Sequence, residues 1–356
     1  MNKTQTFVLF FLLHLASIFA VFPESMIAAA SSGHWLAIVI IFLGELLFLW
    51  FYLKALSLFP GKTVIEICII SLGKWGARLL FLPFICFLFM ELILILYFQS
   101  TQIKVVLLQR TPISVISGLF VVLGLYGAWK GLAVIIRASI SLFLLFMPFI
   151  LFSMMISIEN FSFNYIFPVW DTQMSFVFDP DFYVSAALLT SFLFLGMAPS
   201  PERISFGRVT IVVGIIFLFA LASVYIPLLV FGQETTAHLQ YPMLMASDTI
   251  DLEWVIFDWL PSFYVVSSSG LGVLKFTVFL WMLMKIVHQL FIPRLNSGWL
   301  LLCISVTLLL FCLRIPDIQA MHRYQYLHAY FCFFSILVFP IVTFLSGQWH
   351  RKKVSR

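Results

Sequence analysis

Along the chain, long apolar runs alternate with short polar breaks. A membrane-spanning helix needs about 20 apolar residues. Ten runs approach or exceed that length: 5–30, 35–58, 78–107, 113–129, 133–157, 181–201, 208–232, 264–292, 298–313 and 326–347. They show no period-two alternation and are longer than barrel strands, so the pattern predicts helices and argues against a β-barrel. The first run has signal-peptide features, with Lys3, the apolar stretch Phe7–Ala16 and small residues near Ala20. It nevertheless continues through Ile27–Ala30, with nine more runs behind it, so a retained span is expected. Thr63–Gly73 is too short to span; flanked by Lys62 and Lys74, it is expected as a short helix on the cytoplasmic face. The expected organisation is one all-α integral membrane domain over 1–347 with a basic cytoplasmic tail at 348–356.

Composition supports the same class. Hydrophobic residues make up 63% of the chain and charged residues 10%, against about a quarter charged in an average soluble protein. With 42 Phe and 10 Trp in the chain, the apolar surface exceeds what interior cores need, so part of it must face lipid. The five cysteines, Cys68, Cys86, Cys303, Cys312 and Cys332, form no C-x-x-C pair. They read as small apolar residues, with no disulfide framework or metal site.

The net charge of +5 becomes informative once it is sorted by side. With the N-terminus in the cytoplasm, the inside set is Lys3, Lys54, Lys62, Lys74, Arg78, Lys130, Arg137, Arg203, Arg208, Lys285, Arg294, Arg351, Lys352, Lys353 and Arg356. The outside set is Lys104, Arg110, Arg314 and Arg323. This asymmetry predicts that both termini are cytoplasmic. The outer connections 158–183 and 233–264 carry acidic residues and no Lys or Arg. The charge thus reflects orientation, and nucleic acid is not an expected partner. The basic tail suits anionic lipid.

Two spans carry helix breakers at matching places. Span one reads Ser17-Ile18-Phe19-Ala20-Val21-Phe22-Pro23, and span six reads Phe194-Leu195-Gly196-Met197-Ala198-Pro199-Ser200-Pro201. Proline removes an amide donor and disfavours helix at the preceding residue. Interrupted helices one and six fit a five-plus-five inverted repeat, with repeat one about 1–157 and repeat two about 181–347. Backbone freed at such breaks is tolerated where it lines a cavity. Its amides suit a carboxylate, and its carbonyls suit an ammonium group or a cation. The candidate substrate-binding residues are therefore Ser17, Ile18, Phe19, Ala20, Val21, Phe194, Leu195, Gly196 and Met197.

Ionisable residues at membrane depth are costly and default to functional candidates. Lys275, between apolar neighbours in span eight, is the sharpest. A buried lysine can replace a sodium ion, or release a proton if its pKa is depressed; an ion pair with a glutamate is the structural alternative. Glu24, Glu45 and Glu91 are possible polar partners, and His14 and Gln99 are further polar positions. H-E-x-x-H, P-loop, G-x-G-x-x-G and G-x-S-x-G motifs are absent, so no enzyme, cofactor or metal is expected.

Phe59-Pro60-Gly61-Lys62-Thr63, Leu72-Gly73-Lys74-Trp75, Thr111-Pro112, Ala128-Trp129-Lys130-Gly131-Leu132-Ala133-Val134-Ile135 with Arg137, Phe192 to Gly196, Tyr241-Pro242 and Lys275 occur in a characteristic order. That order resembles the endospore germination permeases, the GerAB-type B subunits of spore germinant receptors. The resemblance implies a LeuT- or APC-like fold, that of the amino acid–polyamine–organocation transporters. It implies sensing of a small nutrient such as an amino acid, in the spore inner membrane, with A-type and C-type (lipoprotein) subunits as partners. In that fold helices one and eight frame an ion site, which would make Lys275 an ion-site surrogate. The expected pocket lies between spans one, three, six and eight. An active amino-acid permease and a non-binding structural subunit remain alternatives.

Overall fold

A computed structural model describes residues 3–170, 174–187, 190–198, 204–248 and 260–354. Every regular element among them is helical: α1 (Lys3–Ile18), α2 (Phe22–Ala29), α3 (His34–Ser57), α4 (Val64–Val106), α5 (Ile113–Lys130), α6 (Leu132–Ile156), α7 (Pro180–Ala187), α8 (Phe206–Phe231), α9 (Gln233–Thr236), α10 (Pro242–Asp248), α11 (Leu260–Leu290), α12 (Ser297–Cys312), α13 (Ile318–Phe333) and α14 (Phe339–Val354). Long, strongly apolar helices with lipid-facing Leu, Val, Trp and Phe on their outer sides make this an all-α membrane protein.

Among the described residues, seven helices are long and apolar enough to cross a bilayer, counting α13 and α14 as one. α1 and α2 make an eighth span together, bent by 55°. The two remaining expected spans, Pro180–Gly196 and Ser297–Cys312, are shorter. At 1.5 Å per residue, the 16 residues of α12 reach about 24 Å, less than the ~30 Å hydrocarbon core. Length alone thus accounts for eight of the ten expected spans.

Local chemistry explains the breaks. Pro23 enters the first turn of α2 and has no amide to offer the Phe19 carbonyl, so the helix bends between Ile18 and Phe22. α4 is 43 residues long, too long for one straight span. It is interrupted at Gly73, whose φ of 76° favours glycine. The stretch before it starts at Thr63, where side chain and backbone exchange hydrogen bonds with Glu66 in a capping box. This is the short helix expected before span three. Span six is irregular earlier than expected: α7 ends at Ala187, and Thr190–Gly196 forms a 3-10 helix. The expected breakers Pro199 and Pro201, with Arg203, lie outside the described residues, as do Asp171 and residues 249–259 of the acidic outer loops.

α11 is the central column, packed against α1, α4, α5, α6, α10 and α12. α13 continues through a π-helical turn, Phe334–Val338, into α14. α14 packs on α3 and α4.

Candidate functional site

Around the bend of the first span, four helices bring charged and polar side chains into one buried cluster. Lys275 of α11 donates from Nζ to Ser17 Oγ in the last turn of α1. It also donates to Glu91 Oε1 of α4 at 2.6 Å. The other oxygen of Glu91 lies 3.0 Å from His328 Nε2 of α13. Lys275, Glu91 and His328 are each at most 2% exposed, and the ammonium sits 5.1 Å from the Phe279 ring centroid. Lys275 is therefore held as one half of a buried ion pair, in direct contact with the broken first helix. Removing one member of such a pair strands the other charge and costs about 3–5 kcal/mol.

A cavity of about 30 Å³ adjoins this cluster. α1 and the bend contribute Ala16, Ser17, Ala20 and Val21; Glu91 and Gln99 come from α4, and Lys275 from α11. Gln99 is 2% exposed and its Oε1 has no partner. The space is about that of one water molecule, so this conformation is closed around its polar groups. Next to it lies a wider polar vestibule of about 600 Å³, lined by Glu24, Asp181, His238, His322 and Tyr326 among others. Val21, Val184 and Gln325 border both spaces and form the partition between them.

Carbonyls freed at the breaks already have partners. Tyr264 Oη donates to the Phe19 carbonyl at 2.7 Å, the acceptor that Pro23 leaves without an amide. Tyr52 Oη donates to the Leu193 carbonyl of the 3-10 segment at 2.9 Å. Both tyrosines are fully buried. Tyr52 also explains Gly196: a Cβ there would lie 2.0 Å from its hydroxyl oxygen.

The structure brings Ser17, Ala20, Val21, Lys275 and Glu91 together at the cavity. Ile18 and Phe19 are buried but do not line it; Phe19 packs edge-on against Phe219 and Tyr264. Phe194, Leu195, Gly196 and Met197 are buried away from the cavity, with Gly196 against Tyr52 and Val64. Glu24 belongs to the vestibule. Glu45 pairs instead with His14, Nε2 to Oε1 at 2.7 Å, in a separate buried cluster. Sequence reasoning missed His328 and Gln325; a histidine inside a predicted span was the available signal for the first.

These features define a multi-span helical membrane protein of transporter-like build, with a closed polar pocket at a broken first helix. A family profile described as "Spore germination protein", of the spore permease type, matches residues 1–319. The chain belongs to that spore germination permease family. A search of curated proteins finds no significant match.

Proposed function

We propose that the chain is the B-type subunit of a spore germinant receptor and binds a small nutrient, an amino acid first among candidates, at the pocket beside the first-helix bend. The observation that carries this reading is the Ser17–Lys275–Glu91–His328 cluster, which ties α1, α4, α11 and α13 together beside a polar vestibule. A ligand entering from the vestibule must displace the Val21, Val184 and Gln325 partition and open a space now sized for one water. Because the cluster links four helices, opening it changes their relative positions. A ligand that favours the opened arrangement shifts the population toward it, and A-type and C-type subunits in the spore inner membrane would report the shift. Lys275 supplies a fixed positive charge where a transported cation would otherwise sit, so sensing needs no accompanying ion. Both termini would face the cytoplasm, as the charge asymmetry predicts.

The test is Lys275→Ala in spores, with the variant's abundance measured alongside. The expected result is loss or strong weakening of the nutrient response beyond what any fall in abundance accounts for; a normal response per receptor would sink the assigned role. The permease character of the family supports a second reading, active amino-acid uptake. Accumulation of labelled amino acid in reconstituted vesicles would establish it.

A further inference from the structure

The buried pair formed by His14 and Glu45 stands apart from the central pocket, and its hydrogen bonds fix its proton content. His14 Nδ1 is 2.8 Å from the Phe10 carbonyl, which can only accept, so Nδ1 carries a hydrogen. Nε2 is 2.7 Å from Glu45 Oε1. That contact needs a second proton, either on an imidazolium facing a carboxylate or on a carboxylic acid facing a neutral imidazole. In both forms the pair is net neutral and stores one transferable proton. Glu45 is 4% exposed, and its Oε2 has no partner.

Beside Glu45 is a cavity of about 160 Å³ between α3, α7, the 3-10 segment and α13 with its π-helical turn. Its walls include Phe48, Phe182, Tyr183 and Phe333. Apart from Glu45 and Tyr183, whose hydroxyl already donates to the Val177 carbonyl, the described lining is apolar. Ile40 and Tyr183 at its edge are exposed, so the cavity is reachable from the lipid-facing side. A volume near 150 Å³ accommodates a benzene-sized group. Aromatic walls favour a cation over their faces, and Glu45, which lines the cavity, brings a carboxylate to its wall as an acceptor.

We propose that this cavity is a binding site for small hydrophobic primary amines. The amine partitions through lipid in its neutral form, and its nitrogen lone pair takes the proton stored in the His14–Glu45 pair. One N–H bond forms on the amine as the pair's bridging N–H or O–H bond breaks; nothing is oxidised or reduced. As the proton leaves, the Nε2–Oε1 contact opens, and the ammonium takes the place of the bridging hydrogen by donating to the Glu45 carboxylate, with its apolar group among the phenylalanines. No net charge enters the low-dielectric interior, which keeps the step inexpensive.

The test compares benzylamine with benzyl alcohol, which has the same ring and no basic nitrogen, on purified full-length protein in phosphatidylcholine nanodiscs. Saturable benzylamine binding at least tenfold tighter than that of benzyl alcohol is expected. Glu45→Gln should weaken it at least tenfold. Gly44→Leu provides a second test that leaves the pair intact, because Gly44 lines the cavity and a Cβ there meets nothing within 4 Å; it should fill the space and also abolish binding. Should Glu45→Gln fail to fold, Gly44→Leu and the amine–alcohol comparison decide. Equal binding of the two compounds would mean that the cavity takes lipid chains and apolar solutes only, and would overturn the proposal. So would benzylamine binding unaffected by Gly44→Leu.

Discussion

Replacing Tyr264 with phenylalanine removes a single oxygen atom from the bend of the first span and leaves the ring in place. That oxygen is the partner of the Phe19 carbonyl, at 2.7 Å in a fully buried setting. The carbonyl needs a partner because residue 23 is proline and cannot complete the helical bond. An orphaned buried carbonyl costs about 1–3 kcal/mol. With about 2–4 °C of thermal midpoint per kcal/mol in chains of 150–250 residues, and somewhat less in a longer one, Tyr264→Phe should lower the midpoint by about 2–6 °C. Thermal unfolding of purified protein in detergent, followed by intrinsic tryptophan fluorescence, reads this directly. A second variant separates this cause from general loss of packing. Pro23→Ala restores an amide at position 23 that a continuous helix would direct to the Phe19 carbonyl. In that background Tyr264→Phe should cost less than half as much, a coupling that a double-mutant cycle isolates. No effect of Tyr264→Phe alone, or an equal effect in both backgrounds, would mean that the Phe19 carbonyl does not depend on the tyrosine hydroxyl.

Other perturbations follow from the same contacts. Gly196→Ala drives a methyl group into the hydroxyl of Tyr52, 2.0 Å away, and should destabilise the protein by about 1–3 kcal/mol. Gly44→Ala, into open space, should stay within about 0.5 kcal/mol of the parent; thermal midpoints compare the two. Glu91→Gln leaves the Lys275 charge unopposed and should cost about 3–5 kcal/mol, whereas adding Lys275→Met should recover most of that loss. Stability curves of the two single variants and the double variant measure it.

Much of the membrane architecture was legible because bilayer insertion writes itself into the length of apolar runs. Pro23 announced the first break because its missing amide is a local fact, independent of the rest of the fold. Lys275 was legible as a charge in an apolar run, but its partner was not. Glu45 and Glu91 look alike in sequence, and only the rotation of each helix about its axis sends Glu91 to Lys275 and Glu45 to His14. The same ignorance of rotation placed Phe194–Met197 in the pocket. In the structure Tyr52, from a span far away in sequence, occupies the space beside Gly196. His328 was legible only as a histidine inside a predicted span; its meeting with Glu91 depends on the tertiary packing of α13.

Binding of a small nutrient at the first-helix bend is open to a direct binding screen of purified protein. The screen covers the twenty amino acids, nucleosides and sugars, and repeats any positive result on Ala20→Phe, whose larger side chain fills the pocket at the bend. Saturable binding of at least one nutrient is expected, lost in Ala20→Phe while the fold is retained. Absence of saturable binding to the parent protein that still assembles with its partner subunits, or binding undiminished by Ala20→Phe, would contradict it.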